Sequence, residues 1–318
     1  MATNVGFASA VGYGLESTWA TAVAVTASLK YLSDTMDQTR AKIVRATNRG
    51  RGARDANRAT HYVAGGGLTG LLTYDLAQSW LTHFIGAFND DVGGDYYSVL
   101  DQVVTGLTVA IDRVTSVHEF VGCVIDSVTL AGDPDSGVTF EWALTAKNRL
   151  ISGQTNNAAA VAALSEPGSD VLFHECTLRV GDMGDALAAG DNLSISQFSV
   201  EINRNKATNA VNSLYQLQSK ENGHRDVMLS FTIPRYEADT FLAWEAAATA
   251  LQANLIMTDS TNTKDLRFSH LTVESVVINQ SDDSMAEVPV VMRAHENESA
   301  TNTNTGFDFE AEIQLYES

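Results

Sequence analysis

The sequence predicts a mainly β protein built as two tandem copies of one fold, each copy carrying a single helix. Three observations carry this. Apolar residues alternate with polar ones along several segments, the period of a strand with one buried face. Two hairpin-like segments, residues 120–147 and 268–295, align without a gap. A helix is expected once in each half, at the same point in the order of elements, with an apolar stripe in the first copy and 13 fewer residues before the hairpin in the second.

The hairpins carry the clearest match. Phe120 meets Phe268, Asp126 meets Glu274, and Ser127-Val128 meets Ser275-Val276; Asp135-Ser136 meets Asp283-Ser284, and Ala146 meets Ala294. Val138, Phe140, Trp142 and Leu144 share one face in the first, and Val288, Val290 and Met292 in the second. Upstream, residues 45–48 (RATN) resemble 206–209 (KATN), and each is followed by a strand, at 68–72 and at 229–233. A helix comes next. Leu76, Trp80 and Phe84 recur every four residues beside Ala77, Leu81 and Ile85, with Asp75 near the start and Gly86 as the stop. The second helix follows Pro234 and aligns Phe241-Leu242 with Trp80-Leu81. Between the copies, residues 152–170 are rich in Ala, Ser, Asn and Gly and read as a linker. The expected division is 1–150, linker 151–170, and 171–318. Residues 171–180 read as a strand opening the second copy. Val211, Leu214, Tyr215 and Leu217 suggest a short helix where the first copy has a basic stretch. At the C-terminus Phe307, Phe309, Ala311, Ile313 and Leu315 alternate with Asp308, Glu310, Glu312 and Gln314, giving one greasy and one acidic face.

Charge divides the chain. Its 318 residues carry a formal net charge of −19. Arg40, Lys42, Arg45, Arg49, Arg51, Arg54 and Arg58 fall in one stretch broken only by Asp55, net +6, which leaves −25 for the rest. So acidic a body does not bind DNA over most of its surface, because binding needs cations that displace counterions from phosphate. One basic arm on an acidic body points to self-association by charge complementarity.

No catalytic constellation emerges, and no cofactor or metal is expected. His174-Glu175-Cys176 places three potential ligands together, but strand alternation sends neighbours to opposite faces. Gly65-Gly66-Gly67 lacks the Lys-Ser/Thr of a phosphate loop and reads as a flexible end to the arm. Asp133 to Gly137 lacks the later ligands of a calcium loop and reads as a hairpin turn. Cys123 and Cys176 fit no zinc spacing and read as small buried hydrophobes. The N-terminus shows no basic and apolar signal segment, so synthesis in the cytosol is expected, and no run is long and apolar enough for a membrane helix.

Residues 12–23, GYGLESTWATAV, resemble the opening of tail tube proteins of long-tailed, siphovirus-type bacteriophages. The subsequent element order resembles that family too: a first strand, a long arm, a strand and helix, a closing hairpin. The resemblance implies a β-sandwich or partial barrel with one flanking α-helix, six such folds to a ring, and an arm that docks on the neighbouring ring. Here that arm is roughly residues 40–67. It also implies a non-enzymatic virion protein, assembled in the host cytoplasm, with tail terminator, tape measure and distal tail proteins as partners and DNA passing through without specific binding. With two folds per chain, three chains would close a pseudo-sixfold ring; six chains are the alternative. Asp308, Glu310 and Glu312 are the candidate acidic lining of the lumen. The competing readings are another self-assembling protein (a capsid decoration or spike, or a type VI secretion tube) and a surface-binding β-sandwich module.

Overall fold

The computed structural model describes residues 9–43, 58–76, 80–85, 87–89, 96–98, 106–209, 211–259, 261–279, 286–296 and 312–317. Over the described residues the chain is mostly β, with a large antiparallel sheet that does not close into a barrel, consistent with a β-sandwich. Leaving aside the shortest strands, the N-terminal half contains β1 (Ala10–Leu15), β2 (Lys30–Asp34), β3 (Asp37–Ile43), β4 (Arg58–Leu71), β5 (Tyr96–Ser98), β6 (Leu107–Asp112), β7 (Val117–Asp133), β8 (Gly137–Ala146) and β9 (Asn148–Leu150). The C-terminal half contains β10 (Cys176–Asp182), β11 (Gln197–Asn203), β12 (Asp226–Ile233), β13 (Leu251–Thr258), β14 (Thr263–Val276), β15 (Val288–Ala294) and β16 (Gln314–Glu317).

Neighbouring strands run β2/β3–β4–β8–β7–β6–β1 in the first half, every pair antiparallel. In the second half they run β11–β12–β15–β14–β13–β10, again antiparallel throughout. The two orders correspond strand for strand. So do the strands after each hairpin, since β9 adds to β7 and β16 adds to β14. Even an irregularity corresponds. The β7–β8 register shifts at Asp126 and the β14–β15 register at Glu274, the two residues that the hairpin alignment equates. A bulge places one unpaired residue and bends the strand locally. The halves share one sheet, because β7 pairs with β11 and β5 with β16.

Burial follows the period-two pattern. Val138, Phe140, Trp142 and Leu144 are buried on one face of β8, and Val288, Val290 and Met292 on β15. Trp142 gathers an aromatic cluster, with Trp80 at 5.0 Å, Phe140 at 5.2 Å and Tyr13 at 6.1 Å between centroids. Each contact is tilted or edge-on, as ring quadrupoles favour. Of the first predicted helix, the described part holds α1 (Tyr74–Leu76), a π-type turn at Trp80-Leu81 and α2 (Thr82–Ile85); residues 77–79 and Gly86 lie outside it. Trp80, Leu81, Phe84 and Ile85 are buried, so these four residues of the predicted stripe face the core; the side chains of Leu76 and Ala77 lie outside the described residues.

Three local expectations differ. Gly65-Gly66-Gly67 is no flexible end: it lies within β4, paired with Thr145, Leu144 and Ala143. At Gly66 φ is +148° and a Cβ would lie 2.5 Å from the Thr35 carbonyl oxygen, so glycine is required by close approach of β2–β3. Residues 173–175 form a 3₁₀ turn rather than strand, and Cys176 opens β10. Glu175 fixes that turn by accepting from the Leu172 N–H at 2.9 Å and the Tyr74 hydroxyl at 3.0 Å. Residues 211–217 form bends, not a helix.

The segment read as a linker is held in place. Asn157 caps α3 (Ala158–Ala162), and Val161 packs with Val25, Ala110 and Val117. Buried Glu119 accepts from the Asn156 backbone N–H at 2.7 Å and side-chain amide at 2.8 Å, while Asn156 bridges Val23 and Val25. The hairpin turn at Asp133 forms as expected, the carboxylate accepting from the Asp135 and Ser136 N–H groups at 2.9 Å each. The Ser136 hydroxyl, which also donates to this carboxylate, and the two N–H groups hold the carboxyl below the usual range.

Candidate functional site

The self-association expected from the sequence would act through edges, arms and exposed patches, so these are the candidate site. The basic stretch begins as a hairpin. β3 and β4 pair from Asp37 with Gly65 out to Ile43 with Arg58, and carry Arg40, Lys42 and Arg58. Arg45, Arg49, Arg51 and Arg54 lie outside the described residues. Arg40 donates to the Thr60 carbonyl at 3.0 Å and lies over the Tyr62 ring at 4.7 Å. Tyr62 in turn stacks on Tyr215 at 5.5 Å. The root of the arm is thus built from both halves. Of the acidic candidates, Asp308 and Glu310 lie outside the described residues. Glu312 is half-buried and paired with Arg225 at 3.1 Å, so its charge is already compensated.

The second feature is the junction of the halves, which the sequence did not reveal. β11 lies antiparallel on the distal part of β7, Ile202 opposite Val128, Val200 opposite Leu130 and Phe198 opposite Gly132. A Cβ on Gly132 would meet the Phe198 ring at 2.5 Å, so the ring packs where a side chain is missing. Polar contacts fasten one end. The Arg204 N–H donates to the Asp126 carbonyl at 3.0 Å, Lys206 Nζ to the Ile125 carbonyl at 2.8 Å and Ser219 Oγ to the Asp126 carboxylate at 3.1 Å. The Arg204 side chain is fully buried, donates to the Phe84 carbonyl at 2.7 Å and pairs with Glu221. Burial lowers the affinity of both cations for their protons: Arg204 falls below its ordinary value, and Lys206 to about 8. Burial also pushes Asp126 up.

Among the sheet edges without a strand partner in the described residues, two matter for pairing between copies. One is the outer edge of β2–β3, where Arg113 donates to the Met36 carbonyl at 2.9 Å and pairs with Asp34. The other is the end of β14 with the residues just beyond it, where Val277 and Ile278 are 48% and 39% exposed. A guarded edge is a known device against indiscriminate pairing.

A family model described as phage tail tube protein matches residues 6–292. The chain belongs to the phage tail tube protein family. It is therefore a structural component of the virion tail. A comparison with curated proteins finds no match.

Within this tail tube family member, the opening segment owes its pattern to one buried carboxylate. Glu16 accepts from the Ala20 N–H at 2.6 Å, the Gly122 N–H at 2.8 Å and the Thr108 hydroxyl at 2.9 Å. Trp19 Nε1 donates to the Gly122 carbonyl at 3.1 Å, and Lys147 lies over the Trp19 ring at 5.1 Å. The segment 12–23 is thereby pinned onto β6 and β7. Glu16→Ala strands these donors and is expected to cost about 2–4 kcal/mol, read as a lower urea midpoint. Glu16→Gln, which keeps an acceptor, should lose less.

No group of three His, Cys, Asp or Glu able to hold a metal occurs among the described residues. Cys123 is fully buried, and Cys176 is half-buried rather than fully so as expected; burial pushes the Cys176 thiol up to about 12, which leaves it unreactive. Among the described residues, no helix is long and apolar enough to cross a membrane.

Proposed function

We propose that this chain polymerises as stacked rings into the tail tube of a siphovirus-type phage, and that three chains close each ring with pseudo-sixfold symmetry. The observation that carries this reading is the β7–β11 junction between two halves of identical strand order. The chain is read as a duplicated tube fold, residues 1–150 and 171–318 joined by 151–170. Within one chain, the outer strand of the second half pairs with the long hairpin strand of the first. Repeating that step sets β2–β3 of the next chain against the exposed edge beyond β14. Arg113 would then give up its bond to Met36 in exchange for a strand partner. Three chains supply six folds, and closure pairs both of these edges in every chain.

The acidic body suits a conduit for DNA delivery, since a lumen that repels phosphate lets DNA pass without binding. The tube is non-catalytic and needs no cofactor. Assembly takes place in the host cytoplasm, with tape measure, terminator and distal tail proteins as the other partners. Native mass spectrometry of isolated rings is expected to give three chains per ring. Six chains would overturn the duplicated reading while leaving family membership untouched.

A further inference from the structure

The connection between β11 and β12 stands where the basic stretch stands between β3 and β4, yet its surface is of another kind. Residues 208–219 carry no charged side chain. Val211, Leu214 and Leu217 are 41%, 53% and 50% exposed. The loop is nonetheless tethered. Leu217 N–H donates to the Asn209 carbonyl at 3.2 Å, and Thr208 Oγ1 donates to the Leu217 carbonyl at 3.0 Å. Tyr62 N–H donates to the Leu214 carbonyl at 2.8 Å. Large apolar side chains held out on an ordered loop mark a contact surface.

At the other end of the same strand pair lies an open groove of about 670 Å³ against α4 (Thr240–Ala247). Leu193, Ile233, Pro234, Phe241, Trp244 and Val288 line it. β11 and β12 are antiparallel neighbours, so the loop closes one end of the pair and the groove borders the other. Eight residues of strand separate them, roughly 25 Å.

The N-terminal half serves as an internal control. There the helical segment after β4 buries Trp80, Leu81, Phe84 and Ile85, and the stretch at the opposite end is basic. In the C-terminal half α4 fully buries Phe241 alone, leaving Leu242 and Trp244 half-buried, and the loop at the opposite end is uncharged. The open groove and the apolar loop occur together, at opposite ends of one half.

We infer that the 208–219 loop of one copy of this chain seats in the α4 groove of the next copy along the tube, a second ring-to-ring contact that is apolar where the arm is electrostatic. The contact is head to tail and does not close on itself, so it propagates a stack. The groove rim carries one charge of each sign, Arg235 and Glu237, and the loop carries none, so the contact adds no net repulsion between two strongly acidic bodies. The inference rests on the tube reading.

The test uses the full chain with Leu214→Asp and Leu217→Asp together, followed by native mass spectrometry for rings and negative-stain microscopy for tubes. Rings should persist, while mean tube length falls by about threefold for each decade of stacking affinity lost, because the length of a linear stack follows the square root of that affinity. Tubes of ordinary length would overturn the contact. A second variant, Leu214→Cys with Glu237→Cys, decides the matter even if the first misfolds. A short bismaleimide should link chains into ladders in the tube fraction and not in single rings, whereas no ladder from intact tubes overturns the inference. Failure of the unmodified chain to form any ring or tube would instead strike the tube reading itself.

Discussion

Arg204→Ala is expected to destabilise the chain by about 3–5 kcal/mol, the usual cost of breaking a buried charged contact from one side. The side chain is fully buried, and its guanidinium serves both halves at once: it bonds the Phe84 carbonyl in the first and Glu221 in the second. Truncation leaves that carbonyl without its donor, leaves Glu221 unpaired and opens a cavity at the junction. Arg204→Lys should recover little, because an ammonium cannot reach two partners in the fixed geometry of the guanidinium fork. Urea unfolding followed by tryptophan fluorescence gives the measurement. Both halves contain tryptophans, Trp19, Trp80 and Trp142 in one and Trp244 in the other, so an uncoupled junction would show as two transitions in place of one. An unchanged midpoint with one transition would mean that the strand pairing of β7 and β11 holds the halves without this anchor.

Much of the fold was legible because its period was. Alternation along 138–144 and 288–292 announced two half-buried hairpin strands, and those residues are buried in the structure. The gapless hairpin alignment even equated Asp126 with Glu274, which turn out to occupy matching bulges. Long-range pairing was not legible. Nothing in residues 197–203 states that their partner is 127–132, because alternation fixes which side chains share a face and leaves the neighbour open. Arg204 escaped notice for a related reason. Arginine is ordinarily read as surface, and only its tertiary partners show why this one is buried. The short helix expected at 211–217 failed because four apolar residues satisfied a helical spacing without a cap or a core to pack against. Glycines 65–67 differ in the opposite sense: three in a row suggest freedom, whereas backbone oxygens of Leu144 and Thr35 press too closely on Gly65 and Gly66 for a side chain. Of the assembly surface, the sequence displayed the charge of the arm and concealed its root, the Arg40–Tyr62–Tyr215 stack that joins the two halves.

That charge supports the largest functional effect. Reversing Arg49, Arg51 and Arg54 to Glu is expected to leave rings folded and to block their stacking into tubes. The three changes take the basic stretch from +6 to zero, against a remainder of −25. Attraction between arm and neighbouring ring then vanishes, and only repulsion between like-charged bodies remains at long range. The fold is expected to tolerate the change, since the stretch 45–58 carries no apolar period that could build a core, and solvated charges contribute little to stability individually. The apolar seat at α4 acts only at contact distance, so it cannot offset a barrier to approach. Salt supplies an independent check on the unmodified chain. Raising ionic strength from 0.1 M to 1 M shortens the Debye length from about 10 Å to about 3 Å, which screens the arm and leaves an apolar contact unscreened. Tube assembly by the unmodified chain should therefore slow and shorten in 1 M salt. The triple variant should show the opposite dependence, gaining some stacking as repulsion is screened. Sedimentation velocity at the two ionic strengths separates rings from tubes and reads both effects. Normal tubes from the triple variant in low salt would show that the arm's charge is incidental to stacking.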